Sequence, residues 1–310
     1  MRKYFVTGFY LLIVGGILLL GGVLMGANRS VVWDHGFKVA QVKDETYPLD
    51  NFKNIYVEGR DADVTIKFGD RYKIHVDGDR SQAPTYKVKD NTLTVLGSAK
   101  KGRIGVDVLG REKITITIPM NKTLDNVNLR TANSKIHIND VTINNLVKTA
   151  KDMDYDANLY LSDVTVHNAD KISLYNADLE MKNSNISNLT LAANVYSNIV
   201  VQNTTFKNPS INLDESSMNI KSSNIDSLKS FTTHSKITMS KTTLMNKNKI
   251  RLFNTGRFTG EELTVDGLKL NTDKGVVRYF DKSYGTSFEN KTDAANLLDV
   301  KATKGTITIK

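Results

Sequence analysis

The chain has 310 residues, 40% of them hydrophobic and 24% charged, with 42 basic against 33 acidic side chains and a net charge of +9. It contains no cysteine, which excludes disulfides, thiolate metal sites and thiol catalysis, and only four prolines and 20 glycines, which excludes collagen-like and proline-rich architectures. The length suits one large or two modest domains.

No charge occurs from Tyr4 to Asn28, in "YFVTGFYLLIVGGILLLGGVLMGAN". About 20 apolar residues suffice for a helix to cross a bilayer core. Arg2 and Lys3 precede the run, and positive flanks stay cytoplasmic. The reading is a cytoplasmic stub at 1–3, a transmembrane helix at 4–27, a linker at 28–50, and an extracellular domain at 51–310. A cleaved signal peptide is the competing reading. Its apolar region normally spans about 7–15 residues before an A-x-A-like site, whereas this run is longer and "LMGANRS" matches such a site poorly. Trp33 lies just past the span, where an interfacial aromatic is expected. Gly22 and Gly26 form a GxxxG pair, but in so glycine-rich a span chance explains it.

All 33 acidic residues follow the span, together with 40 of the 42 basic ones, so the exterior part is basic. Clusters fall at "KKGRIGVDVLGREK" (100–113) and "KTTLMNKNKIR" (241–251). Such a surface attracts an anionic cell-wall polymer or lipid surface; solvated loops are the plainer explanation of either cluster alone.

Residues 51–120 read as an N-terminal sheet or cap. "NIYVEG", "DVTIKF", "YKIHVDG", "YKVKD", "TLTVLG" and "KITITIP" alternate at period two between Gly- and Asp-rich breaks.

From 121 to 272 the chain repeats. Apolar-x-apolar pairs begin at Ile136, Leu159, Leu179, Ile199, Met218 and Ile237, at intervals of 23, 20, 20, 19 and 19. A small or branched residue follows at offset 5 (Val141, Val164, Ser184, Thr204, Ser223, Thr242), and an apolar one at offset 7 (Ile143, Val166, Ile186, Phe206, Ile225, Leu244). Offsets 0 and 2 share a strand face, as do 5 and 7, but the odd step from 2 to 5 would switch faces in a straight strand. The chain must therefore turn a corner there, with both strands facing one interior. A third short strand is read at Val127/Leu129, Ile172/Leu174, Leu189/Leu191, Ile211/Leu213, Ile250/Leu252 and Leu268/Leu270. "KDMDYD" (151–156) reads as a loop insertion in the longest period. A degraded copy has Phe258, Leu263 and Val265, with Gly260 at offset 2.

The fold class is thus all-β: a parallel β-solenoid of about seven coils of about 20 residues, preceded by one membrane helix. Parallel stacking at about 4.8 Å per coil gives a length of about 30–35 Å. Residues 273–310 read as a C-terminal cap, with "KTDAANLLDV" (291–300) a short helix or loop over the last coil.

One membrane span, then "FKNIYVEGRDADVTIKFGDRYKIHV", an "ITITIP" strand and Ser/Thr/Asn-rich strand repeats resemble the bacterial "putative adhesin" domain of unknown function, as in LiaG-like envelope proteins of Gram-positive bacteria. The resemblance covers about residues 50–310. It implies a β-solenoid-like exterior domain linked to the cell surface or to envelope stress, and it supplies no catalytic residues.

Chemistry on such a scaffold needs converging carboxylates. Asp163, Asp178 and Asp214 lie near repeat corners but share no offset, which points to solvated turns. His35, His75, His137, His167 and His234 form no H-x-x-x-H or H-E-x-x-H pair, and His137 should face outward. No calcium-binding GGxGxD repeat and no P-loop occurs. No catalytic, metal or cofactor site is assigned, and no cofactor is expected. Nucleic acid is excluded as a partner by the exterior location and the lack of a binding motif. The expected function is a membrane-anchored, adhesin-like binding or scaffold module at the envelope of a Gram-positive-type bacterium. Its partners would be the membrane through the helix, and an anionic polymer, a lipid surface or another envelope protein. An accessory role in envelope stress, and a polysaccharide lyase or glycosidase on the same scaffold, are the alternatives.

Overall fold

The computed structural model describes residues 2–24, 31–33, 37–39, 41–80, 83–97, 103–104, 111–150 and 156–310. Gly26, His35, most of the 100–113 basic cluster and all but the last residue of "KDMDYD" lie outside them.

Arg2–Leu24 is one α-helix. Its Tyr4–Gly22 stretch has a mean hydropathy of 2.1, and nothing in the protein buries it. A helix apolar all round needs a protein core or a bilayer, and this one is long and apolar enough to cross a membrane.

Apart from a small antiparallel sheet (Val31–Trp33, Phe37–Val39, Arg103–Ile104), the described strands form two long sheets of 14 and 17 strands, sheet I and sheet II. The repeat is clearest at 178–197. Asp178–Lys182 lies in sheet I with Leu179 and Met181 inward. Asn183 turns the chain, and Asn185–Ser187 enters sheet II with Ile186 inward. Asn188 turns again, and Thr190–Asn194 buries Leu191 and Ala193. Val195 and Tyr196 make the last corner, and Asn198–Gln202 begins the next coil.

The coils stack in parallel register. Ile136, Leu159, Leu179, Ile199, Met218, Ile237 and Phe258 are successive partners in sheet I. In the six regular coils every residue expected inward at offsets 5 and 7 is buried, whereas Leu263 and Val265 of the degraded copy are half-buried against the core. At Gly260, in place of the second apolar residue of its copy, Leu263 and Ile309 fill the space, and a Cβ there would lie 2.5 Å from Leu263 Cδ1.

Corners explain the polar composition. The first corner, at offset 4, is a left-handed residue in every regular coil: Asp140, Asp163, Asn183, Asn203, Ser222 and Lys241, with φ between 49° and 56°. Asn and Asp tolerate that region best among non-glycine residues. Each corner N–H donates to a carbonyl one coil on, as from Asn183 to Gln202 at 3.1 Å. The inward Ser or Thr that follows works in both directions. The Thr204 hydroxyl donates to the Gln202 carbonyl at 2.9 Å, and the Ser223 hydroxyl accepts the Thr204 N–H at 3.2 Å. Ser184 and Ser223 donate in the same way, at 2.6 and 2.8 Å. A hydroxyl ladder thus satisfies backbone that would otherwise be buried unpaired.

Both ends depart from simple coil order. Asn54–Arg60 sits between Thr92–Leu96 and Thr123–Ala132, and Ala62–Gly69 between Glu112–Pro119 and Lys135–Asn139, so later segments cover the first coil. At the far end Leu297–Ala302 lies between Lys247–Phe253 and Gly267–Thr272, and Thr306–Ile309 lies between Arg257–Glu261 and Val276–Tyr279. The last segment is therefore an inserted coil.

Three sequence expectations differ from this structure. The helix or loop over 291–300 is turn followed by strand, because Leu298, Val300 and Ala302 alternate inward and find strand partners on both sides. Within the stretch read as a linker at 28–50, Val42–Pro48 is an edge strand antiparallel to Lys73–Asp79. The pair read as Leu189/Leu191 is Leu191/Ala193 in the strand, with Leu189 filling the corner, since an alanine carries little apolar signal.

Candidate functional site

Sheet I presents a continuous outer face along the stacked coils. Its outward residues beside offset 0 run Asn198, Ser217, Lys236, Arg257, Thr306 from coil to coil. The next outward column runs His137, Tyr160, Glu180, Val200, Asn219, Thr238, Thr259, Thr308. His137 faces outward as expected and stacks on Tyr160, ring centroids 4.5 Å apart and 8° from parallel. Strands of one coil hold these groups about 4.8 Å from those of the next, a spacing suited to contacts with an extended polymer.

At one border of this face, where Tyr196, Glu215 and His234 turn successive coils in left-handed conformations, lies an open groove of about 560 Å³. Lys236 and Arg257 line it from the sheet side, with Ser217 between coils. Tyr196 is 76% exposed at its rim. Ser217 donates to Asn198 Oδ1 at 2.9 Å. The floor is fixed by corner serines: Ser216 donates to the Asp214 carbonyl at 2.8 Å and Ser235 to that of Thr233 at 2.7 Å. The groove therefore holds two cations, an imidazole, a phenol and one carboxylate on a rigid backbone.

The acidic residues considered from sequence do not converge. Asp163 is a left-handed corner, Asp178 begins a strand of sheet I, and Asp214 ends a strand of sheet II. His75 contacts Thr46 Oγ1 at 3.0 Å, His167 is exposed, and among the described histidines His234 alone enters the groove. Among the described residues no group of three or more His, Asp or Glu side chains is placed to hold a metal. The 241–251 cluster is largely committed to structure. Arg251 makes a paired contact to Asp299 at 3.0 and 2.6 Å, and Lys247 donates to the Ala294 carbonyl at 2.6 Å. The groove was not marked out in the sequence, because its corner residues share no chemistry. Their spacing is the signal that locates them: Glu215 and His234 lie 16 residues past Ile199 and Met218, and Tyr196 lies 17 past Leu179.

A family model described as Toastrack DUF4097 matches residues 52–310. No curated protein matches the chain. Among solved structures, a "putative adhesin" from Bacteroides fragilis is similar at 11% identity, covering 87% of this chain and 97% of its own, with a TM-score of 0.44. A "putative adhesin" from Parabacteroides distasonis is similar at 14% identity with the same coverages and a TM-score of 0.41. A "putative lipid binding protein" from Parabacteroides distasonis is similar at 12% identity, again with those coverages, and a TM-score of 0.37.

Proposed function

Because the chain belongs to the Toastrack DUF4097 family, we propose that it is an adhesin-like surface module, anchored by its N-terminal helix with residues 1–3 inside and 51–310 outside. Its ligand is an extended anionic polymer of the envelope, laid across the outer face of sheet I and held at the border groove. The observation that carries this reading is the coupling of a repeating Asn/Ser/Thr-rich face to a groove with Lys236 and Arg257 in adjacent coils. Two cations on fixed neighbouring strands attract negative charge without having to be ordered first. Among the described residues Glu215 is the one carboxylate lining the groove, whereas glycoside hydrolysis ordinarily uses a pair, and this supports binding over turnover. The family resemblance further supports placement in a Gram-positive-type envelope with an accessory part in envelope stress.

The test is retention of the full chain, in detergent, on immobilised cell-wall polymers across a salt series, with product analysis. Retention that falls as salt rises is expected. Turnover of any polymer would remove the pure-binding reading, and no retention at low salt would remove the electrostatic one. Protease shaving of intact cells checks topology, and protection of the 51–310 region would refute the proposed orientation.

A further inference from the structure

Among the described residues, one inward position of sheet II carries a charge. Lys148 occupies the tier held by Leu129 in one neighbouring coil and Ile172 in the other. Its side chain and that of Asp156 are both fully buried. Lys148 Nζ is in direct contact with Asp156 Oδ2 and donates to the Ser173 carbonyl at 2.8 Å. Asp156 Oδ1 accepts the Ala157 N–H at 2.7 Å, and Oδ2 accepts the Tyr175 N–H at 3.2 Å. Burial pushes the Lys148 ammonium below its ordinary range against the opposing pull of Asp156. Two charges inside an apolar core carry a large desolvation penalty, and a fixed amine against a fixed carboxyl has a very high effective concentration.

We propose that Lys148 and Asp156 condense into an intramolecular amide, an isopeptide cross-link inside the solenoid. The ammonium first passes a proton to the carboxylate, giving the neutral amine and acid that a dry core favours. The amine lone pair attacks Asp156 Cγ and forms the N–C bond. Oδ2, which faces the amine, carries the transferred proton, and negative charge develops on Oδ1, where the Ala157 N–H already points. A second nitrogen proton moves to the departing hydroxyl, the C–O bond breaks, and one water leaves. The remaining N–H stays on the Ser173 carbonyl. No oxidant or co-reactant enters. The product removes both charges from the core, and the excluded solvent keeps it from hydrolysis.

Peptide mass mapping of the full chain decides the matter. Trypsin should fail to cut after Lys148, and residues 136–151 should remain joined to residues 152–171 at their summed mass less one water. Fragmentation should place the branch at Lys148 and Asp156. Lys148→Arg and Asp156→Ala should each abolish the joined species. Recovery of 136–148 and 152–171 as separate linear peptides from the folded wild-type protein would overturn the proposal and leave an ordinary buried ion pair. The wild-type map decides even where a variant fails to fold.

Discussion

Thr232→Val should stabilise the protein, although it removes a polar group from a chain rich in useful ones. Ser230 and Thr232 hold the inward positions of Lys229–Thr233, each about 1% exposed. The equivalent tiers on either side are Ile211/Leu213 and Ile250/Leu252. Unlike the corner hydroxyls, Ser230 Oγ and Thr232 Oγ1 have no hydrogen-bond partner. A buried unpaired hydroxyl costs about 1–3 kcal/mol. Valine keeps the shape of threonine and finds apolar neighbours above and below, so the gain should be a large part of that, about 1–2 kcal/mol. At roughly 2–4 °C per kcal/mol for a domain of this size, Tm should rise measurably. Urea unfolding followed by far-UV circular dichroism is the assay, with the midpoint rising and the slope m unchanged. Thr238→Val, on the outward face of sheet I, is the control and should stay within about 0.5 kcal/mol. If Thr232→Val lowers the midpoint, or matches the control, the hydroxyl has a partner and the argument fails.

Val195 and Tyr196 both hold left-handed conformations, φ 47° and 55°, where a branched side chain costs about 1–2 kcal/mol; Val195→Asn should therefore raise the urea midpoint, by about 1 kcal/mol. Gly305 belongs to the inserted last coil, and a Cβ on it would sit 1.9 Å from the Gly256 carbonyl oxygen; Gly305→Ala should cost about 1–3 kcal/mol and raise hydrogen exchange across 297–309 first. Lys236→Glu with Arg257→Glu should weaken retention on anionic polymer and flatten its salt dependence, while circular dichroism stays unchanged. Hydrogen bonds from Ser227 and Asn246 hold the Asp226 carboxyl below its ordinary value. A depressed folded pKa gives stability that is present above the unfolded value, near pH 4, and lost as pH falls through the folded one; Asp226→Asn should reduce that acid sensitivity in unfolding titrations.

Periodicity made the interior legible. Offsets 0, 2, 5 and 7 are filled by side chains that must face one core, so the tier from Ile136 to Phe258 is legible in the residues alone. The ends were less legible, because spatial order there departs from chain order. Leu298, Val300 and Ala302 alternate like any strand, yet their partners are contributed by residues 50 positions earlier and by Gly267–Thr272. The site was less legible still. Glu215, His234, Lys236 and Arg257 meet because corners and strands stack, while each residue alone looks like a solvated turn or strand start. Lys148 was hidden for the opposite reason: a lysine inside an apolar column declares itself only when Asp156 is seen against it.

How the solenoid ends also bears on where it can bind. A parallel ladder left open would accept the first coil of a second copy and continue as a fibre. Among the described residues, the strands that end the two long ladders run antiparallel to their neighbours, Val42–Pro48 and Lys282–Ser283 in sheet I and Thr85–Lys89 and Ser287–Asn290 in sheet II, while the short Thr243–Met245 strand ends on a parallel bridge to Thr264. Lys282–Ser283 is only two residues long, and Thr85–Lys89 exposes Lys87 and Lys89. A second copy offering a parallel coil meets the wrong strand direction in both sheets, with lysines at the rim. The ends are thus closed to the chain's own pattern of growth. The outer face of sheet I has no such closure: its side chains repeat coil after coil between hydrogen-bonded corners, so the polymer binding proposed above falls to the flank of the solenoid and not to its tips.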